Sequence, residues 1–168
     1  MPLVSSKTSR YDDRMHKLDT GAELLATFRT RDQPLVELPA DLSFPLILRD
    51  TMTWKHPAGG RLFLVFSPEV GLPTGIVFDS NGPSAAQVPQ MCSWCHSLAQ
   101  GNAVSMLTAS HGSRRRVGVF VCGDLGCKQR VEEDCNRAGK NVQLAFKALV
   151  ARIATFATDG LGIDLQHR

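Results

Sequence analysis

Apolar and polar positions change period several times along the chain, and each change predicts an element. In residues 11–29, Met15, Leu18, Leu25 and Phe28 can share one face at helical spacing, while Glu23 and Arg29 fall elsewhere. Thr20-Gly21 weakens the middle of that pattern, which allows two short helices in its place. Asp32, Pro34 and Pro39 then mark a linker. A short apolar run at residues 44–48 precedes a turn at Pro57-Ala58-Gly59-Gly60. Residues 61–67 (RLFLVFS) and 74–79 (TGIVFD) read as two strands of an antiparallel hairpin, ended by Asn81-Gly82-Pro83. Residues 103–110 and 117–122 predict a second pair of strands, with Val117, Val119 and Val121 in alternation and a basic tip at residues 111–116. After Cys127 the pattern turns helical as far as Gly139, a C-terminal stop. Asn141 can cap a further helix, on which Val142, Phe146, Leu149, Ile153 and Phe156 form an apolar stripe closed by Gly160. Strand hairpins followed by helices predict an α+β fold: an antiparallel sheet, C-terminal helices and a short N-terminal helical segment.

Composition narrows the class. With 168 residues, 43% apolar and 21% charged, the chain can build a core without disulfides and is not a disordered type. A net charge of +3 admits an anionic partner but does not demand a nucleic acid. No apolar run is long enough to cross a bilayer, and the N-terminal residues lack the apolar centre of a signal peptide, so a cytoplasmic protein without membrane contact is expected. In that compartment five cysteines, an odd number, argue against a disulfide framework and for metal binding or buried thiols.

The cysteines carry the chemistry. Cys92 and Cys95 are separated by two residues, and Cys122 and Cys127 by four, with 26 residues between the pairs. Four thiolates are what a tetrahedral zinc ion needs, and a two-residue gap lets both sulfurs of a knuckle face one metal. Gly123 and Gly126 would permit the turn from strand into helix, whose N-terminus adds positive partial charge near the thiolates. Knuckle, hairpin, then ligands at a strand-to-helix junction is the treble-clef order. Buried thiols and a Cys92/Cys95 redox pair are the competing readings; the redox pair would leave Cys122 and Cys127 unexplained. Four thiolates close the coordination sphere, which makes the expected zinc, one per chain, structural. His96 is expected to be a non-ligand and Cys135 a core thiol. Trp94 either packs under the knuckle or faces a partner.

Other chemistry is missing from the pattern. There is no phosphate-binding P-loop, no Gly-x-Ser-x-Gly elbow and no His-Glu-x-x-His, and no nucleophile stands with a base, so the chain does not read as an enzyme. Arg114, Arg115 and Arg116 at the hairpin tip could bind phosphate or an acidic protein surface, or simply solubilise a turn.

The run Met91-Cys92-Ser93-Trp94-Cys95, the hairpin with its basic tip, and Val119-Phe120-Val121-Cys122-Gly123-Asp124-Leu125-Gly126-Cys127 resemble the elongation factor G-binding proteins. These share the treble-clef domain of the fusidic acid resistance proteins. Trp54, Pro57 and the strand at 61–66 look like the family's approach to the same domain. The resemblance covers residues 41–160, with a finger core at 90–139, leaving an N-terminal helical segment and linker at 1–40 and a tail at 161–168. It implies a zinc-dependent binding module, monomeric, held together by Cys92, Cys95, Cys122 and Cys127. The resistance proteins bind elongation factor G and promote its release from the stalled ribosome. By that likeness Arg114, Arg115 and Arg116, with Lys128 and Arg130 on the helix after Cys127, would face the factor, and the ribosome would be touched only indirectly. Fusidic acid tolerance would be the outcome. The alternative is a zinc-finger module that binds RNA, such as ribosomal RNA, through the arginine tip.

Overall fold

The structure is a computed structural model that describes residues 15–82, 89–99 and 103–167. The expectations for residues 1–14 and for Pro83 fall outside them.

Met15–Leu18 is not helical: it forms strand β1. The helix α1 (Gly21–Ala26) starts only after Thr20, whose hydroxyl accepts from Glu23 N at 3.2 Å while the Glu23 carboxylate accepts from Asp19 N at 2.7 Å. This reciprocal capping fixes the helix start and leaves the preceding four residues free to extend. They pair antiparallel with β2 (Leu46–Arg49), Leu18 opposite Leu46 and Met15 opposite Arg49. The helical spacing of Met15 and Leu18 was therefore a coincidence of two short elements.

Asp50, at φ 60, turns the chain into β3 (Thr51–Lys55). Next come β4 (Arg61–Phe66) and β5 (Thr74–Ser80), which pair in the hairpin expected from their apolar runs. A small ribbon, β6 (Gln90–Met91) with β7 (Leu98–Ala99), brackets the first cysteine pair. The long strands β8 (Val104–His111) and β9 (Arg115–Cys122) follow. The main sheet is antiparallel throughout, in the order β3-β4-β5-β8-β9. The strands β8 and β9 run further than their alternation suggests. His111 pairs with Arg115 and Ser110 with Arg116, so the turn itself is Gly112, Ser113 and Arg114.

The unbroken apolar text of β4 has a simple cause: it is central and covered on both faces. Leu62, Leu64 and Phe66 face one core, together with Ile76, Phe78, Leu107 and the C-terminal helices. Phe63 and Val65, with Val77, face a second core closed by Leu18, Leu24, Phe28 and Leu48. The N-terminal segment is thus the lid on the back of the sheet. At its contact with β5, Gly75 N donates to Thr27 O at 2.8 Å, and a Cβ on Gly75 would lie 2.6 Å from the Phe28 ring. Only glycine permits that approach.

On the front face, α2 (Cys127–Ala138) ends at Gly139 with φ 63, and α3 (Val142–Thr155) begins at Asn141, whose side chain accepts from Gln143 N and Leu144 N. Both caps are as the sequence predicts. Of the predicted stripe, Phe146, Leu149 and Ile153 are buried, while Val142 and Phe156 pack at its margins. A widened π-helical turn over Phe156–Gly160 closes the helix. No helix among the described residues is long and apolar enough to cross a membrane.

Candidate metal centre

Three elements deliver four sulfurs to one point. Cys92 and Cys95 lie on the knuckle between β6 and β7, Cys122 ends β9, and Cys127 opens α2. Their Sγ atoms all lie within 4.8 Å of one another, with Cys92–Cys127 at 3.6 Å and Cys95–Cys122 at 3.5 Å. A zinc ion with Zn–S bonds near 2.3 Å has tetrahedral S–S edges of about 3.8 Å. A disulfide needs sulfurs about 2.05 Å apart, and no such pair occurs. The donor set therefore fits a closed four-thiolate zinc site, and a structural zinc is its cofactor.

The knuckles are built by the backbone. Cys92 N donates to Ser97 O at 3.0 Å and His96 N to Cys92 O at 2.9 Å, with His96 at φ 60. That turn points the amides of Trp94 and Cys95 at Cys92 Sγ, both at 3.4 Å. Ser93 N donates to Phe120 O at 2.8 Å and so ties the knuckle to β9. In the second knuckle Leu125, not a glycine, takes the left-handed conformation at φ 57. Gly123 and Gly126, expected to supply conformational freedom, do not: neither has a positive φ. Gly126 has an ordinary φ of −75, and a Cβ there would meet Arg130 Nη1 at 2.6 Å and Asp124 Oδ1 at 3.0 Å, so a side chain at this position would displace the Arg130–Asp124 fork.

Electrostatics also call for a cation. Hydrogen bonds from Cys122 and Cys127 hold the Cys92 thiol far below its ordinary range, and those from the same two residues bring Cys95 down to about 6. Cys127 is driven strongly upward by its bonds to Cys122 and Cys92. Four thiolates at this separation repel, and a divalent ion among them removes that penalty.

Trp94 is 2% exposed and stacks edge-on against Phe78 and Phe156 at 5.8 and 6.0 Å, so it packs beneath the knuckle. Arg152 on α3 donates to Trp94 O at 2.7 Å. His96 is not in the thiol cluster, and Cys135 is a buried core thiol.

The five basic residues expected at a partner surface do not lie together. Arg114 and Arg115 are exposed at the hairpin turn. Arg116 sits in β9, where its guanidinium bonds the Asp79 carboxylate and Thr108. Lys128 points inward: its ammonium donates to Arg49 O at 3.2 Å, lies 3.7 Å from buried Asp50 and rests over the Phe146 ring. Arg130 forks onto Asp124 at 2.9 and 3.1 Å, and Asp124 also accepts from Gly126 N. Sequence reasoning missed Asp124 as the residue that fixes the second knuckle, although its place two before Gly126 is an Asx-turn signal. From Arg115 to Cys122 the strand advances seven residues, about 23 Å at ordinary strand rise, so the tip and the metal centre occupy opposite ends of β9.

The sequence matches the family model described as FBP C-terminal treble-clef zinc-finger over residues 24–159. The structure is similar to that of the fusidic acid resistance protein FusC, with a TM-score of 0.50 at 11% identity. That likeness covers 85% of this chain and 59% of the other, so this chain spans less than two thirds of its length. At such identity it speaks for the fold alone. No curated protein matches the sequence significantly.

Proposed function

The chain belongs to the FBP C-terminal treble-clef zinc-finger family, and we propose that it is a binding module, not an enzyme, whose finger docks on translation elongation factor G and alters its release from the ribosome. The observation that carries this reading is the four-thiol centre at the junction of β9 and α2, within the span matched to the family. Zinc bound there would be held by Cys92, Cys95, Cys122 and Cys127 and would supply structural cross-linking, since four thiolates leave no position for a reacting water. The elongation factor itself comes from the motif resemblance.

The finger end has the surface a protein partner needs. Met91 and Leu98 face each other across β6 and β7 and are 53% and 75% exposed, and Met106 on β8 is 42% exposed. Apolar side chains of this size supply the dry centre of a protein interface. The Arg130–Asp124 pair adds a fixed polar group near the second knuckle. The finger would favour one conformation of the factor over the ribosome-bound one, and that differential affinity would shift the population toward release. The module, expected over residues 41–160 with its core at 90–139, would act as a cytoplasmic monomer; residues 15–40 back the sheet, and the expected tail at 161–168 is corrected, because Leu161 and Ile163 are buried in the front core and Leu165 O accepts from Leu72 N at 2.7 Å. Fusidic acid tolerance in cells producing the chain is the corresponding phenotype.

Affinity capture of elongation factor G by the zinc-loaded chain tests this reading. Retention is expected, with loss of retention after zinc is stripped by a chelator. A folded, zinc-loaded chain that does not retain the factor at low salt overturns it. The RNA alternative draws on a separate surface, the arginine-bearing turn between β8 and β9.

A further inference from the structure

The end of β9 away from the metal centre has its own composition. Arg114 and Arg115 project from the turn between β8 and β9 and make no side-chain bond to another described residue. Arg31, 40% exposed, reaches the same hairpin from the N-terminal segment and donates to Ser110 O at 3.3 Å. Arg116, one residue on, is half-exposed and anchored by Asp79. His111 is fixed beside them, its Nδ1 2.8 Å from Gly160 O. Four guanidinium groups from two distant parts of the sequence are therefore gathered around one narrow two-stranded ribbon. Asp32 and Asp79 each already engage two of the chain's arginines, Arg29 with Arg31 and Arg61 with Arg116, so the free charge is concentrated on Arg114 and Arg115.

The turn, Gly112-Ser113-Arg114, carries no apolar side chain, and its flanking pair is His111 with Arg115. A protein interface needs an apolar or aromatic anchor at its centre. Nucleic-acid interfaces are instead polar and strongly positive. Apart from His111, whose ring is held by Gly160 O, the nearest aromatic residue on the ribbon is Phe120, opposite Met106 near the finger end, so the tip has no Phe, Tyr or Trp platform for reading bases. Planar guanidinium forks suit phosphate oxygens.

We propose that the tip of the β8–β9 ribbon, with Arg31 beside it, is an RNA phosphate-backbone site that works independently of the finger. It reads no sequence. Arg114 and Arg115 contact phosphates directly, Arg31 adds a third contact, and Arg116 ties β9 to β5 and β8 through Asp79 and Thr108. The finger end is left to a protein partner, so one chain can hold a protein and an RNA at opposite ends of β9. This proposal does not depend on elongation factor G being that protein.

The test uses the full-length, zinc-loaded chain and a fluorescent RNA oligonucleotide of random sequence, followed by anisotropy across a salt series. The expected slope of log affinity against log salt is about −2 to −3, for roughly three phosphate contacts. Arg114→Ala/Arg115→Ala should lower affinity about tenfold at low salt and flatten the slope by about 1.5, with zinc content and thermal midpoint unchanged. An unchanged slope in this variant, or no RNA binding at low salt, overturns the proposal. Binding of a polyglutamate peptide in place of RNA, with the same dependence on Arg114 and Arg115, also overturns it and assigns the tip to an acidic protein. If elongation factor G is not retained while the RNA signal and its arginine dependence persist, the protein partner is wrong and the tip assignment stands.

Discussion

Single side chains at the finger separate those that hold the metal from those that hold the fold. Replacing Cys92 or Cys122 with serine leaves three sulfurs, and elemental analysis should then find well below one zinc per chain; Cys135→Ala, outside the cluster, should keep full zinc. Lys128 has a structural job on this reading, because its ammonium lies 3.7 Å from a carboxylate on Asp50, which is 1% exposed. Lys128→Met should cost about 1–3 kcal/mol in denaturant unfolding, with zinc retained. Asp124 gives a pH signature. The Arg130 fork, then the Gly126 amide, holds its carboxyl below the ordinary 3.8. A depressed carboxyl adds stability that is complete above its unfolded value and is lost as pH falls through the folded one. Asp124→Asn should therefore unfold more easily than the native chain at neutral pH, and the gap between their midpoints should close in acid below about pH 4. A gap that widens in acid would contradict the ion pair.

At the scale of elements, legibility followed the strength of the local signal. The strands β4 and β5, the helices α2 and α3, the Gly139 stop and the Asn141 cap were all readable, because long apolar periods and cap residues act within a few positions. The two close cysteine pairs were readable for the same reason. The strand β1 was not: four residues carry too few positions to separate a period of two from one near four, and its partner, Leu46–Arg49, is remote in sequence. Nor could spacing reveal that Lys128 directs its charge to buried Asp50, or that Arg116 pairs with Asp79 on the sheet surface. The docking of the N-terminal segment was equally hidden, since it depends on a glycine in β5 that reads only as a weak strand residue. Gly75→Ala probes it. The new methyl would meet the Phe28 ring at 2.6 Å, and overpacking of this kind costs about 1–3 kcal/mol. The loss should appear in denaturant melts, while zinc content holds, because the metal centre lies on the other face of the sheet.

Across the whole molecule, two cores share one sheet, and only one of them contains the metal ligands. The front core joins Cys92, Cys122 and Cys127 to Trp94, Phe78 and the helices α2 and α3. Structural zinc in small fingers contributes roughly 10–16 kcal/mol of apparent binding energy, a quantity larger than the net stability of most domains. Stripping the ion should therefore loosen α2, the β6–β7 ribbon and the Met91/Leu98 surface first, and hydrogen exchange should show the back core, around Phe63 and Phe28, protected for longer. The account stands on the four sulfurs meeting at one ion, and zinc K-edge absorption of the purified chain measures that directly. It should show four sulfur neighbours at about 2.3 Å and no nitrogen or oxygen ligand. A first shell with fewer sulfurs and a water, or a folded protein with these cysteines oxidised in pairs and no zinc bound, would contradict it.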